Sequence, residues 1–381
     1  MHLLVDHQIP LADAFFGDLG HLKRMPGREI DAAAAAKADI MIIRSVTRID
    51  ETLLADSNVR FVGTCTIGTD HVDRQALKDR GIGFASAPGC NAEAVVDYVL
   101  SSLLLICERE GVALDARRVG IVGVGNVGGR LYRRLSALGI DCLLCDPPRA
   151  EAEGEDGFID LDLLLDQADI VCLHTPLVRS GLHATWHLLD ATRIAALKPG
   201  TVLLNAGRGA CVDGEALSER LAQRGDITTI LDVWEHEPGI DETLWRQVDI
   251  ATPHIAGHSL DGKMRGTEQV YLALMEFLGL PRRHHLDDLA PSPTLSRLTL
   301  DAGHGVWEAL RLCMRACYDV RRDADSLSRE QRRRGMAAGF DHCRAHYPLR
   351  REFSTLEVEL KPGAVELVPW LTAAGFKVMT G

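Results

Sequence analysis

Short apolar runs alternate with stretches of helical or turn character through most of the chain. The first series is HLLVD (2–6), ADIMIIRS (38–45), VRFVGTC (59–65) and GIGFASAP (81–88). Unbroken apolar runs suit strands buried on both faces, and their alternation with helices predicts an α/β unit built on a parallel sheet. From Ala94 to Cys107 the pattern lengthens into a mostly apolar stretch interrupted by Asp97. It predicts one long buried helix that connects two domains, with Asn91 as its N-cap. After Arg117 and Arg118 a second series begins: RVGIVG (118–123), DCLLCD (141–146), DIVCLHTP (169–176), TVLLNAGRG (201–209) and TTILDVWE (228–235). Strands in this succession, with helical segments between them, are what a doubly wound sheet requires.

From about Leu286 the pattern predicts a further small module. STLEVEL (354–360) alternates like a half-buried strand, and FKVM (376–379) suits a final strand. GAVELVPWLTAAG (363–375) predicts a short helix that Pro369 would kink or end.

The turn after the first strand of the second series, VGIVGVGNVGGR (119–130), carries Gly123, Gly125 and Gly128 in G-x-G-x-x-G spacing, with Asn126 and Val127 between the last two. The first glycine permits the tight turn, the second lets backbone approach a pyrophosphate, and the third lets helix and strand pack closely. Asp146 ends the next strand, 18 residues after Gly128. A carboxylate there accepts from ribose hydroxyls and repels a 2′-phosphate, which favours NAD, while Arg149 close behind leaves NADP open. Read blandly, the glycines merely close a tight βα turn.

Arg208, Glu237 and His254 each follow a predicted strand, where an open α/β sheet borders its ligand crevice. Singly they read as a surface charge, a solvated loop acid and a satisfied core histidine. Together they suit oxidation of a 2-hydroxy acid. The guanidinium fork of Arg208 would clamp the carboxylate, His254 would take the hydroxyl proton, and Glu237 would orient the imidazole and stabilise its positive charge.

The 381 residues are 46% hydrophobic and 25% charged, which suits a globular protein of more than one domain. A net charge of −12 opposes broad nucleic-acid or membrane-surface binding, so an anionic substrate needs a local cationic pocket. The start MHLLVDHQIP lacks a basic region followed by an apolar one, so a cytoplasmic protein is expected. The 10 cysteines are scattered through apolar stretches as reduced thiols would be. Cys142 and Cys145 form a C-x-x-C inside a predicted strand, where their side chains take opposite faces. His342, Cys343 and His346 share a helix face without a second ligand pair, and no metal is expected. Between Arg321 and Arg351 nine arginines accompany four acidic residues. They read as a solvated helix face with dimer contacts and are not expected in the site.

The motifs GVGNVGGRL, HTPL, LKPGTVLLNAGRG, LDVWEHEP and TPHIAGHS together resemble, in order, those of the D-isomer-specific 2-hydroxyacid dehydrogenases, over roughly residues 40–260. The resemblance implies a flavodoxin-like substrate-binding domain, residues 1–93 with a return segment 256–285, around a Rossmann NAD-binding domain, residues 94–255. RSVTRID, GTCTIGTDHVD and SAPGCNAEAVVDYV, together with the extra C-terminal segment, are similar to a branch of that family acting on a phosphorylated 2-hydroxy acid. In that branch the segment, here residues 286–381, is a small α+β dimerisation domain, which implies a homodimer. By the same resemblance Ser45 and Thr66 contact substrate. Thr175, Ala206, Gly207, Arg208, Asp232 and Gly257 line the NAD site, beside Gly123, Gly125, Asn126, Val127, Gly128 and Asp146. His258 stands where a tyrosine substrate contact is expected, and Arg44 beside Ser45 is a candidate for the substrate phosphate. Two other readings stay open: a dehydrogenase for a smaller acid, such as a glyoxylate or hydroxypyruvate reductase, and a non-catalytic NAD-sensing scaffold.

Overall fold

The computed structural model describes every residue except Glu155 and Gly381. The chain divides into two compact units, residues 1–92 with 258–292 and residues 93–257 with 293–381.

The first unit holds strands β1 (His2–Asp6), β2 (His21–Met25), β3 (Ile40–Ile43), β4 (Phe61–Thr64) and β5 (Gly83–Ala85). All pair in parallel, in the order β2-β1-β3-β4-β5. The order reverses at β1, so the crevice at the carboxyl ends of β1 and β3 is where a doubly wound sheet takes a ligand. β3 and β4 are buried along their whole length, as their apolar runs predict. β2 lacks such a run because it is an edge strand whose residues are all at least partly exposed. The returning helix Leu260–Leu278 buries Val270, Tyr271, Leu274 and Met275 in a core with Leu3, Phe15, Ile40 and Phe61.

The second unit contains a sheet of β6 (Val119–Val122), β7 (Cys142–Cys145), β8 (Ile170–Leu173), β9 (Val202–Asn205), β10 (Thr228–Leu231) and the two-residue β11 (Ile250–Ala251). Its order is β11-β10-β9-β8-β6-β7, again parallel. Beyond β7, Ile159 donates its N–H to Leu144 O at 2.8 Å. The helix Ala92–Glu110 is the long element expected, and its residues from Val95 to Cys107 are largely buried. Asn91 does not cap it, since Asn91 Oδ1 accepts no hydrogen bond.

A second sheet of the same unit, β12 (Arg297–Leu300), β13 (Glu357–Leu360) and β14 (Lys377–Thr380), is parallel in that order. Leu300, Val358, Leu360, Leu371 and Phe376 join one continuous core with Val99, Leu103 and Leu131. The C-terminal residues from Pro293 therefore share a core with the six-stranded sheet. Pro369 neither kinks nor ends its helix. It lies in the first turn of Val368–Ala374, where its missing N–H costs nothing. Below this junction Asp97 is fully buried, bonded by Arg134 Nη1 at 2.7 Å and by Phe353 N–H at 2.9 Å. Burial pushes its carboxyl up to about 6 despite the Arg134 charge.

Candidate active site

In the second unit the turn after β6 has the form its glycines predict. Gly123 has φ +85°, and a Cβ on it would lie 2.9 Å from Thr175 Cγ2. A Cβ on Gly128 would lie 2.0 Å from Gly123 O, so helix Gly128–Ala137 closes onto the turn only without a side chain there. Gly125 is different. It is exposed, and no protein atom lies within 4 Å of where its Cβ would be. Packing gives no reason for this glycine, but close approach of a ligand does. Asn126 beside it is exposed too. Val127 opens the helix with no side-chain cap and no acid in the first turn, which leaves its N–H groups and dipole available to an anion.

Asp146 stands beside this turn, accepting from Val124 N–H at 2.7 Å and capping helix Pro147–Glu153 through Arg149 N–H at 3.2 Å. Arg149 is engaged by Glu153 at 2.9 Å and by Val124 O at 2.6 Å. An uncapped helix start, an open glycine and a carboxylate fixed at the strand end fit the pyrophosphate and ribose of NAD.

β9 ends at Asn205, a buried amide that spans the next turn. Its Oδ1 accepts from Gly207 N–H at 3.0 Å, and its Nδ2 donates to Arg208 O at 3.0 Å. Arg208 is half-buried, with Nη1 donating to Gly207 O at 2.9 Å. Its flanking glycines are forced by crowding: a Cβ on Gly207 would meet Thr175 O at 2.9 Å, and one on Gly209 the Trp234 carbonyl carbon at 2.0 Å. Ala206 ties the turn to β8 through Leu173 O, and Thr175 Oγ1 donates to Cys211 Sγ. The sequence reading missed Asn205, which it took as part of a strand.

The loops after β10 and β11 meet in a carboxylate–imidazole pair. His254 Nδ1 and Glu237 Oε2 are 2.7 Å apart, and Glu237 Oε1 accepts from Trp234 N–H at 2.9 Å. Burial raises the Glu237 pKa, but the His254 hydrogen bond and charge, the Trp234 N–H and Arg344 outweigh it, so the carboxyl titrates below its usual range. His254 itself takes φ +54°, a left-handed conformation few side-chain-bearing residues adopt.

Asp232 imposes that conformation. Its carbonyl accepts from His254 N–H at 2.7 Å, and its buried carboxylate accepts from Thr252 Oγ1 at 2.6 Å, Ile255 N–H at 2.8 Å and Ala256 N–H at 2.9 Å. Asp232, expected as a lining residue, thus grips the segment that carries His254 and leads to half-buried Gly257.

Two of the arginines expected on a solvated face reach this machinery. Arg344, in helix Met336–Ala345, places Nη1 3.5 Å from Glu237 Oε2. Arg350 is buried 3.6 Å over the Tyr318 ring and donates to Ala256 O at 3.1 Å. Arg321 and Arg334 do pair locally, with Asp319 and Glu330.

Ser45, Thr66 and His258 lie in the first unit. Ser45 is exposed just beyond β3. Thr66, just beyond β4, is 2.8 Å from Thr64 Oγ1 and donates to Gly68 O at 3.2 Å. His258 is half-buried and leads into helix Leu260–Leu278, capped by Ser259 on Gly262 N–H at 2.8 Å. Arg44 is paired with Asp6.

Comparison with known proteins agrees with this geometry. Residues 107–256 match the model of the D-isomer specific 2-hydroxyacid dehydrogenase NAD-binding domain, and residues 289–375 match a domain of unknown function, DUF3410. The chain is 63% identical over 378 residues to the erythronate-4-phosphate dehydrogenase of Chromohalobacter salexigens, covering 99% of both chains. It is 50% identical to the enzyme of the same name from Pseudomonas entomophila, over 100% of this chain and 99% of that one. Among solved structures, the TT0316 protein of Thermus thermophilus aligns with a TM-score of 0.61 and 27% identity over 74% of this chain and 99% of its own. The D-lactate dehydrogenase of Aquifex aeolicus, complexed with NAD and lactic acid, aligns with a TM-score of 0.59 and 25% identity over 73% and 96%. The chain is therefore an NAD-dependent oxidoreductase of the D-isomer-specific 2-hydroxyacid dehydrogenase family, and within it belongs with the erythronate-4-phosphate dehydrogenases.

Proposed function

We propose that this protein oxidises the 2-hydroxyl of 4-phospho-D-erythronate to give 3-hydroxy-2-oxo-4-phosphooxybutanoate, as a cytoplasmic homodimer and a step toward pyridoxal phosphate. The observation that carries the chemistry is the 2.7 Å contact between His254 Nδ1 and Glu237 Oε2. With Nδ1–H donated to Glu237, the neutral ring keeps Nε2 as the acceptor for the hydroxyl proton. Glu237, held ionised, steadies the imidazolium that results. Arg208 binds the substrate carboxylate in its planar fork and draws charge from the reacting oxygen. Bound NAD supplies the hydride acceptor, and the turn 123–128, Asp146, Thr175, Ala206 and Gly207 would hold it. Ser45, Thr66 and His258 would hold the substrate.

The phosphorylated substrate is supported by the names of relatives that match nearly the full chain. The homodimer is supported by Leu312, Leu349, Val365 and Met379, large apolar side chains left exposed on the C-terminal segment. Among the described residues no helix is long and apolar enough to cross a membrane.

The test is absorbance at 340 nm with NAD and a panel of phosphorylated and unphosphorylated 2-hydroxy acids, with light scattering for assembly. 4-Phospho-D-erythronate should give the highest kcat/KM, and His254→Ala should lower kcat about 10²–10⁴-fold while NAD binding persists. NAD binding without NADH formation from any 2-hydroxy acid would replace this reading with that of a scaffold, and a monomeric mass would remove the dimer.

A further inference from the structure

The first unit places two cations where its topology puts a ligand. β1 and β3 pair with Val5 opposite Ile42, so Asp6 ends β1 level with Ile43 and Arg44 follows one residue on, at the carboxyl ends of the two strands flanking the switch point. The Arg44 guanidinium is fixed by Asp6, Nε to Oδ2 at 3.0 Å and Nη2 to Oδ1 at 3.3 Å. Asp6 is itself fully buried and also accepts from Gln8 N–H at 2.9 Å. The arginine head is therefore aimed before any ligand arrives.

Lys263 comes to the same edge from the other direction. Register places Ile43 beside Thr64, hence Arg44 beside Cys65 and Ser45 beside Thr66. Helix Leu260–Leu278 packs along β4: a Cβ on Gly63 would touch Val270 at 2.3 Å, and one on Gly266 would touch Cys65 O at 2.8 Å. The helix thus runs with its N-terminus toward the carboxyl ends of the strands. Lys263 lies one turn before Gly266 and Thr267, which carries it past Cys65 to the level of Ser45 and Thr66. Among the described residues no carboxylate lies within ion-pair distance of its ammonium. Asp6 is spent on Arg44, which it holds at two atoms. In a chain of net charge −12, a cation close enough to feel the Arg44 charge and with no carboxylate partner among the described residues is an exception that needs a cause. Burial and the Arg44 charge both depress the Lys263 pKa, and a dianion bound to the pair would raise it again.

We infer that Arg44 and Lys263 form the subsite for the substrate's phosphate, with the Ser45 hydroxyl beside them. The inference rests on the reading of the substrate as a phosphorylated acid. It assigns the discrimination of phosphorylated from unphosphorylated acids to the first unit, and to Lys263 in particular. Arg44 supplies a fixed fork, and Lys263 supplies the charge that Asp6 does not cancel.

The test compares wild type, Lys263→Met and Lys263→Arg as full-length chains, with thermal melting to confirm folding. Steady-state kinetics use 4-phospho-D-erythronate and D-erythronate, and calorimetry measures the binding of inorganic phosphate. Lys263→Met should raise KM for the phosphorylated acid roughly ten- to hundredfold, the scale of one lost charged hydrogen bond, with kcat little changed. The kcat/KM for D-erythronate should stay at the wild-type value, inorganic phosphate should no longer bind, and Lys263→Arg should restore most of both losses. If no 2-hydroxy acid is oxidised yet phosphate binding depends on Lys263, the subsite stands and the substrate reading falls. Wild-type phosphate binding and wild-type KM in a folded Lys263→Met chain would overturn the inference.

Discussion

Asp232→Asn is the substitution that most directly asks whether the His254 loop is held by a carboxylate. Oδ1 accepts from Thr252 Oγ1 and Ile255 N–H, and Oδ2 from Ala256 N–H. An asparagine has one acceptor oxygen, and its NH2 opposes a donor whichever way the amide is turned. The better orientation keeps the two Oδ1 bonds and loses the third. A hydrogen bond to a charged group contributes about 1.5–3 kcal/mol, and the surviving two fall toward the neutral strength of about 1 kcal/mol. The expected loss is about 3 kcal/mol of stability, or roughly 6–12 °C in Tm for a unit of this size. Because the carboxylate bonds grip the residues on either side of His254, part of that energy is withdrawn from the placement of its imidazole. kcat should fall about 10- to 100-fold, with a smaller change in the dissociation constant for NAD. Differential scanning fluorimetry, single-turnover kinetics at 340 nm and NAD titration separate these effects. A variant that keeps wild-type Tm and kcat and only weakens NAD binding would make Asp232 a cofactor ligand and refute its role as the anchor of the loop.

Asp146→Ala should reduce the preference for NAD over NADP in kcat/KM and cost about 1 kcal/mol through loss of the cap on helix Pro147–Glu153; an unchanged ratio of the two cofactors would exclude Asp146 as the ribose reader. His174, whose ring nitrogens are shut away without partners, is driven by burial to a pKa of about 4. The unfolded chain therefore takes that proton first, so stability is complete above pH 6.5 and falls as the pH drops toward 4, by up to about 3 kcal/mol. Urea melts of wild type and His174→Leu across that range should diverge in slope, and parallel slopes would remove the assignment. Arg344→Met should weaken the hold on ionised Glu237, so that activity is lost at a higher pH on the acid side while staying near wild type above pH 8, with Arg344→Lys intermediate. Superimposable kcat profiles would leave Arg344 with a packing role alone.

The parallel sheets were legible because their central strands are buried on both faces, and burial on both faces leaves an unbroken apolar run. The elements that escaped are those where that cause is absent. β2 is an exposed edge, β11 is only two residues long, and β12 is exposed at Arg297 and Thr299. In the candidate site, the structure matches the expected placement at the open turn of Gly125, at the acid of Asp146 beside it and at the Glu237–His254 pair. The site was not legible where the job is to hold another residue. Asn205 and Asp232 act through hydrogen bonds to backbone of the next turn, and such bonds have no residue pattern of their own.

Arg344 and Arg350 were hidden for a different reason. A run rich in arginine has the composition of a solvated face, and only the shared core shows where individual guanidinium groups turn inward. The same core changes how the C-terminal segment can be studied. Leu300, Val358, Leu360, Leu371 and Phe376 pack with Val99, Leu103 and Leu131, and each such side chain exposed by a truncation forfeits about 1.5–3 kcal/mol. Removing the segment would also take Arg350 from Ala256 and Arg344 from Glu237. A truncated chain would thus lose folding, loop placement and the proposed dimer contacts together, and its inactivity would say nothing of which mattered. Single changes separate them. If the proposed homodimer forms through this segment, Leu349→Arg, at a side chain 82% exposed, touches no buried core and should shift the mass in light scattering from dimer to monomer without moving Tm by more than about 2 °C. If that variant stays dimeric, the exposed leucine is not at the interface.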